Sequence, residues 1–190
     1  NGEFAKLWRH DLASGKSNVI AEDKQYDVAW VLAHPKTHKL EAVMFIRQRT
    51  EWTVIDKSLQ ADFDALRKVH DGDFYIDSRD LEDETWTVGY VVDNAPVLSY
   101  AYDRASKKAT FLFSDRPALE KYKLAKMQPI SFQARDGMTI YGYLTLPVGL
   151  EPRNLPMVLS VHGGPWGRDM WGLENEVQWL ANRGYAVLQI

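Results

Sequence analysis

The sequence predicts a mainly β chain that runs into an α/β unit: the C-terminal blades of a β-propeller, then a strand–loop–helix–strand segment. Three observations carry this. Short runs rich in Val, Ile, Thr, Tyr and Trp, bounded by Asp, Gly, Ser, Asn or Lys, fill most of the first 125 residues. A turn pattern recurs with a period of roughly 45 residues, the length of a propeller blade of about four strands. After Ser114 the apolar spacing changes from alternation to helical intervals.

The elements follow in order. Strands are predicted at residues 28–32, 39–46, 51–56, 73–76, 85–92, 98–103 and 109–113. Residues 58–70 break the pattern: Leu59, Phe63, Leu66 and Val69 fall at intervals of 4, 3 and 3, a helix that Ser58 can cap. Leu7 to Lys16 ends a strand and enters a tight turn, and Leu98 to Lys108 repeats it, with the aligned Asp11 and Asp103 separated by 92 residues. A weaker copy around Asp56 divides that interval into 45 and 47. The alternative is an ordinary antiparallel sheet whose turns look alike, because Asp-x-x-Ser-Gly is common turn chemistry. Residues 115–128, punctuated by Pro117 and Pro129, read as a linker. Residues 130–134 and 138–146 pair about Asp136-Gly137, a two-residue hairpin signal. The apolar run 157–161 suits a strand covered on both faces. Leu173, Val177 and Leu180 define a helix over 173–183, Gly184 stands at its C-terminal cap, and 185–190 is a second buried strand. The domain boundaries are therefore 1–125 and 126–190.

Composition removes several classes of function. The 190 residues carry a net charge of −3 with no basic cluster, so nucleic acid and anionic membranes have no electrostatic footprint. No run of 18 apolar residues exists to span a bilayer. Asn1-Gly2-Glu3-Phe4 is not a secretory signal, and the chain does not begin with Met. A soluble protein is expected, cytoplasmic rather than secreted, although composition does not settle the compartment. The absence of Cys excludes disulfides, thiolate metal sites and a Cys nucleophile.

The chemistry concentrates in His162-Gly163-Gly164-Pro165-Trp166-Gly167, at the C-terminal end of a predicted parallel strand and just before a helix, where open α/β sheets put their sites. Two glycines let a ligand approach the backbone, and Pro165 cannot donate. The amides of Gly163, Gly164 and Trp166 are the donors left to form an oxyanion hole. In α/β-hydrolases one such donor comes from an HGGG-type loop after strand β3. A glycine turn without a ligand is the alternative.

From residue 130 onward the sequence resembles the start of the catalytic domain of the prolyl oligopeptidase family of serine peptidases, most of all its acylaminoacyl-peptidase and dipeptidyl-peptidase branch. The resemblance rests on Ala134-Arg135-Asp136-Gly137, Ile140-Tyr141-Gly142-Tyr143-Leu144, Leu146-Pro147, His162-Gly163-Gly164-Pro165 and Asn182-Arg183-Gly184-Tyr185-Ala186-Val187. The family sets a propeller before an α/β-hydrolase domain, in keeping with the upstream period. It implies that Gly164 supplies an oxyanion amide. None of the nine serines has Gly-x-Ser-x-Gly flanks, and the Ser, Asp and His of the triad follow this loop in the fold, so all three are expected beyond Ile190. The chain is then expected to be inactive alone, with the strand at 185–190 exposing an edge that the rest of its own polypeptide or a second copy covers. The implied substrate is a short peptide, with no metal or cofactor; a homo-oligomer stays open. An esterase and a non-catalytic propeller module are the rival readings.

Other residues read as structural. His34 and His38 flank Pro35, which argues against a metal-binding helix, and no acidic ligand lies near them in sequence; a solvated turn is the reading. His10 and His70 are lone histidines, and His162 reads as a hydrogen-bonding residue of its loop rather than a base. The acidic runs 62–64 and 80–84 read as solvated faces. Trp8, Trp30, Trp52 and Trp86 read as core or blade packing, and Trp166 and Trp171 as candidates to line a substrate pocket.

Overall fold

The computed structural model describes residues 3–190; Asn1 and Gly2, the start of the N-terminal stretch read above, lie outside the described residues. It is mostly β-sheet with few helices. β1 (Leu7–His10) and β2 (Ser17–Ala21) form an antiparallel hairpin. Its turn is closed by Asp11, whose Oδ1 accepts from the Ser14 amide and hydroxyl, both at 2.7 Å. Gly15 takes φ +69° there, which glycine adopts without a Cβ penalty. β3 (Val28–Ala33), β4 (Leu40–Ile46) and β5 (Thr50–Val54) form an antiparallel three-stranded sheet. β6 (Asp73–Arg79), β7 (Thr85–Val91), β8 (Leu98–Asp103) and β9 (Lys108–Ser114) form a four-stranded sheet in that order. The turn from β8 to β9 repeats the first: Asp103 Oδ1 accepts from the Ser106 amide at 2.7 Å and hydroxyl at 2.5 Å, and Lys107 takes φ +57° where Gly15 stood.

The third turn differs. Asp56 also accepts from the amide and hydroxyl of a serine, Ser58, at 3.0 and 2.9 Å, but there it caps a helical turn instead of closing a hairpin. The cap is Asp56, not the predicted Ser58, and after the 3₁₀ turn Lys57–Leu59 the helix α1 spans only Gln60–Leu66. Its apolar stripe, Leu59, Phe63 and Leu66, is buried. Among the described residues, β6–β9 is the one expected sheet that has four strands; β3–β5 stops at three because the chain leaves β5 as helix rather than as a further strand.

The chain divides into two compact units, Asn1–Val88 with Tyr100–Thr110, and Gly89–Ser99 with Phe111–Ile190. The first is centred on aromatic rings. Phe63 meets Trp52, Phe74 and Trp86 at centroid distances of 5.7, 5.6 and 6.4 Å, and Trp86 meets Tyr102 at 5.6 Å. Beside them runs a buried ionic network. Asp62, wholly buried, accepts from Tyr102 Oη at 2.9 Å, Arg104 Nη2 at 3.1 Å and Lys107. Arg104 also reaches Asp83 at 2.6 Å, and Arg79 bridges Asp83 and Glu41 at 3.0 and 2.8 Å. The guanidinium carbons of Arg104 and Arg79 lie 5.0 and 5.5 Å from the Trp86 ring centroid. The acidic runs at 62–64 and 80–84 are therefore not simply solvated faces: Asp62 and Asp83 are buried and paired. Of the four tryptophans read as core, Trp52 and Trp86 are buried, whereas Trp8 and Trp30 are exposed.

The second unit carries a four-stranded sheet in the order β10 (Met127–Gln133), β11 (Thr139–Thr145), β13 (Ala186–Gln189), β12 (Met157–Ser160). β10 and β11 are antiparallel, and their connection is a three-residue loop, with Ala134 bonded to Met138 and Gly137 at φ +84°. That is a turn closed by a left-handed glycine rather than the two-residue hairpin expected. β13 is not an edge: it pairs antiparallel with β11 and parallel with β12. Gly142 permits this, since a Cβ there would lie 2.3 Å from the carbonyl oxygen of Gln189. The edges of the sheet are β10 and β12; on β12, Met157 and Leu159 are 59% and 53% exposed, so the expected cover on both faces is not supplied by the described residues. Between β12 and β13 lies helix α2 (Asn175–Ala181), capped by the Glu174 side chain. It closes with Gly184 at φ +89°, Gly184 N–H bonded to Ala181 and Tyr185 N–H to Leu180, the paired bonds of a Schellman motif. No helix among the described residues is long and apolar enough to cross a membrane.

Candidate active-site loop

The glycine loop leaves β12 at its C-terminal end, as predicted, and the parallel register of Ser160 on Gln189 fixes its point of departure. His162 is half-buried, and its Nδ1–H donates to the Gly163 carbonyl at 2.8 Å, which ties the ring to its own loop. A Cβ at Gly163 would meet nothing within 4 Å, so that flank is open. Gly164 is different. It takes φ +156°, and a Cβ there would lie 2.8 Å from the Trp166 nitrogen. Gly167 is hemmed in too, with its Cβ position 2.9 Å from both Gly163 O and His162 Nδ1. The loop folds on itself so tightly that two of its three glycines have no room for a side chain.

The two tryptophans named from sequence part company. Trp166 is 97% exposed. Trp171 is half-buried, and its indole N–H donates to the Met127 carbonyl at 3.0 Å. Next to it, a Cβ at Gly172 would lie 2.8 Å from Val91 Cγ1. Sequence reasoning did not single out Gln178, whose side-chain amide accepts from Ala125 N–H at 2.9 Å and donates to Ala125 O at 2.7 Å and Asp93 O at 3.2 Å. Asp93 in turn accepts from Met127 N–H at 2.8 Å. No spacing rule links Asp93, Ala125 and Gln178; only the fold brings them together.

Elsewhere, His34, Glu41 and Asp83 bring ligand atoms within 4.8 Å of one another, although sequence placed no acid near His34. The positive charge at that point already comes from Arg79, paired to both carboxylates, and His34 Nδ1 accepts from the Lys36 amide at 3.1 Å. A divalent cation would have to displace a guanidinium. His10 Nδ1 lies 2.8 Å from Ser17 Oγ in an exposed hairpin. A cavity of about 340 Å³ lies beside Trp52 and Phe74, rimmed by Arg49, Arg67, Asp71 and Asp73. Its cations are taken up locally: Arg49 pairs with Asp73 at 2.7 Å and Arg67 with Asp64 at 3.0 Å.

Comparison with known proteins bears on the whole length. No protein-family model matches the chain. It is 43% identical over 193 residues to dipeptidyl aminopeptidase BIII of Pseudoxanthomonas mexicana, covering 98% of this chain and 28% of that protein. Among solved structures it resembles Porphyromonas gingivalis dipeptidyl peptidase 4, with a TM-score of 0.69 at 14% identity over 98% of this chain and 27% of that one. It also resembles the acylaminoacyl peptidase of Pyrococcus horikoshii, with a TM-score of 0.63 at 20% identity over 97% and 27%. At those identities the structures testify to the fold. The chain thus spans little more than a quarter of the length of the proteins it matches, and over that span it resembles peptidases of the prolyl oligopeptidase family.

Proposed function

We propose that this segment carries the last two or three blades of a β-propeller (residues 1–125) and the first part of an α/β-hydrolase catalytic domain (residues 126–190) of a serine peptidase that acts on short peptides. The observation that carries the reading is the glycine loop at the C-terminal end of β12, held in a parallel ladder, with Gly164 in a conformation reserved to glycine. The likeness to a dipeptidyl aminopeptidase over 98% of the chain supports the substrate class.

The chemistry divides between this segment and the remainder of the polypeptide. There, a serine hydroxyl attacks the scissile carbonyl, a histidine takes its proton and returns it to the leaving amine, and an aspartate orients that histidine. Water then hydrolyses the acyl-enzyme by the same route in reverse. This segment contributes the Gly164 N–H, aimed at the carbonyl oxygen as it becomes negative. A fixed backbone dipole does this well because it needs no reorientation as charge develops. The open edge and exposed apolar side chains of β12 fit a sheet that continues into the remaining hydrolase strands.

The test is Gly164→Val in the full-length polypeptide, assayed on a short chromogenic peptide. Losing one oxyanion donor lowers kcat by roughly 10²- to 10³-fold. Here the valine Cβ would also collide with the Trp166 amide. Thermal unfolding serves as the folding control, since the loop lies on the surface. Near wild-type kcat in that variant would reduce the loop to a turn. The 190-residue chain alone should hydrolyse nothing and take up no serine-directed phosphonate; stoichiometric labelling would overturn the assignment of the triad to the remainder.

A further inference from the structure

We infer that Trp171 is a positioning residue for the Gly164 amide, holding the far end of the glycine loop through its indole N–H. The inference rests on the reading of Gly164 as an oxyanion donor.

The loop has two ends, and they are fixed by different means. At the start, β12 is locked in register, Ser160 opposite Gln189. Beyond Gly164 there is no ladder. Trp166 is almost fully exposed, and residues 167–170 form neither helix nor strand. Trp171 gives this end a fixed point, bonded to the Met127 carbonyl at 3.0 Å. Met127 is itself immobilised: buried, paired with Thr145 at the start of β10, and held at its N–H by Asp93. Gly172 follows, with its backbone so close to Val91 that no Cβ fits. One turn into α2, Gln178 fastens the helix to Ala125, two residues before Met127. The strip 125–127 therefore holds both the tail of the loop and the helix that follows it.

The consequence is mechanical. A loop fixed at both ends presents Gly164 N–H in one direction; released at Trp171, it can swing. An oxyanion donor acts only within about 2.7–3.1 Å of the developing charge, and displacement of about 1 Å can cost 10²-fold. Ground-state binding does not use that donor fully, so the loss belongs in kcat.

The experiment uses the full-length polypeptide with Trp171→Phe, which keeps an aromatic ring and removes the N–H with the five-membered half of the indole. Rates are normalised to active sites titrated with a serine-directed phosphonate. The expected result is a fall in kcat of about tenfold, with KM within twofold. A peptide aldehyde forms a hemiacetal whose oxygen occupies the oxyanion position, and its inhibition constant should rise by the same factor. A role in packing alone would lower the titre and leave kcat per titrated site and aldehyde affinity unchanged, and that result would overturn the inference. The Gly164→Val enzyme, measured alongside, separates the two readings. If it loses activity while Trp171→Phe does not, only the anchor is wrong. If Gly164→Val keeps full kcat, the oxyanion assignment fails and the anchor has nothing to position.

Discussion

Around Trp86, three cations and three carboxylates (Arg79, Arg104 and Lys107 against Glu41, Asp62 and Asp83) are matched inside the fold, against tryptophan, phenylalanine and tyrosine rings. Around Gly164 the reverse holds: apolar side chains of β12 and Trp166 face outward, and the backbone is bare because the residues have no side chains. The first region satisfies its own groups and is where stability resides. The second leaves groups open and is where chemistry can happen. Loss of a side chain should therefore show as unfolding in one and as altered turnover in the other.

The strongest way to break that contrast is Asp62→Ala. Removing one partner of a buried ion cluster leaves charge uncompensated, and a loss of about 3–5 kcal/mol in urea unfolding of the intact protein is expected. Activity per folded molecule should hold; a variant of unchanged stability would show that Arg104 and Lys107 find other partners. Next comes Gly142→Ala, in the sheet that carries the loop. With the new methyl 2.3 Å from the Gln189 carbonyl, β11 and β13 must part, at about 1–3 kcal/mol. Amide exchange of β13 should rise first, and unaltered exchange would mean the sheet absorbs the methyl. Thr145→Val should do less. The Thr145 hydroxyl is buried without a hydrogen-bond partner among the described residues. An apolar isostere removes that penalty, so a midpoint equal to or above wild type is expected, with a gain of at most about 1 kcal/mol. The smallest effect is the acid response of Asp56. Its exposed partner Lys39 and the Ser58 amide and hydroxyl hold its carboxyl at about 2 instead of 3.8. The folded form is thus the stronger acid, so its contribution is complete above about pH 4 and lost as the pH falls to about 2. An NMR titration should give that midpoint, and Asp56→Asn should flatten this part of the stability curve. An ordinary carboxyl midpoint would remove the third turn from the set with Asp11 and Asp103, which also titrate low because they accept from Ser14 and Ser106.

Most of the strands could be read in advance because alternation and turn residues are local properties. So could α2, from Leu173, Val177 and Leu180 and the glycine that ends it, and the glycine loop, whose chemistry is written in consecutive residues. What escaped was decided at a distance. Asp62 looks like any surface acid until Tyr102 of β8 and Arg104 and Lys107 of the turn after it arrive from 40 or more residues away. The interior place of β13 depends on how Gly142 admits it, which its own sequence does not state. Of the site, Gly164 and its neighbours were visible, but the strip at 125–127 was not, since its bonds are made by backbone atoms that every sequence possesses.

The turn at Lys107 carries a wider consequence. Gly15 and Lys107 hold nearly the same left-handed backbone, +69° and +57°, in turns closed by the same aspartate–serine pair. A lysine tolerates that geometry at about 1–2 kcal/mol relative to glycine, and here its ammonium gains a buried carboxylate. The repeat thus persists in dihedral angle while its letters drift. Searches for further copies in longer relatives would do better to align the shape of the turn and its serine hydroxyl than to look for the glycine.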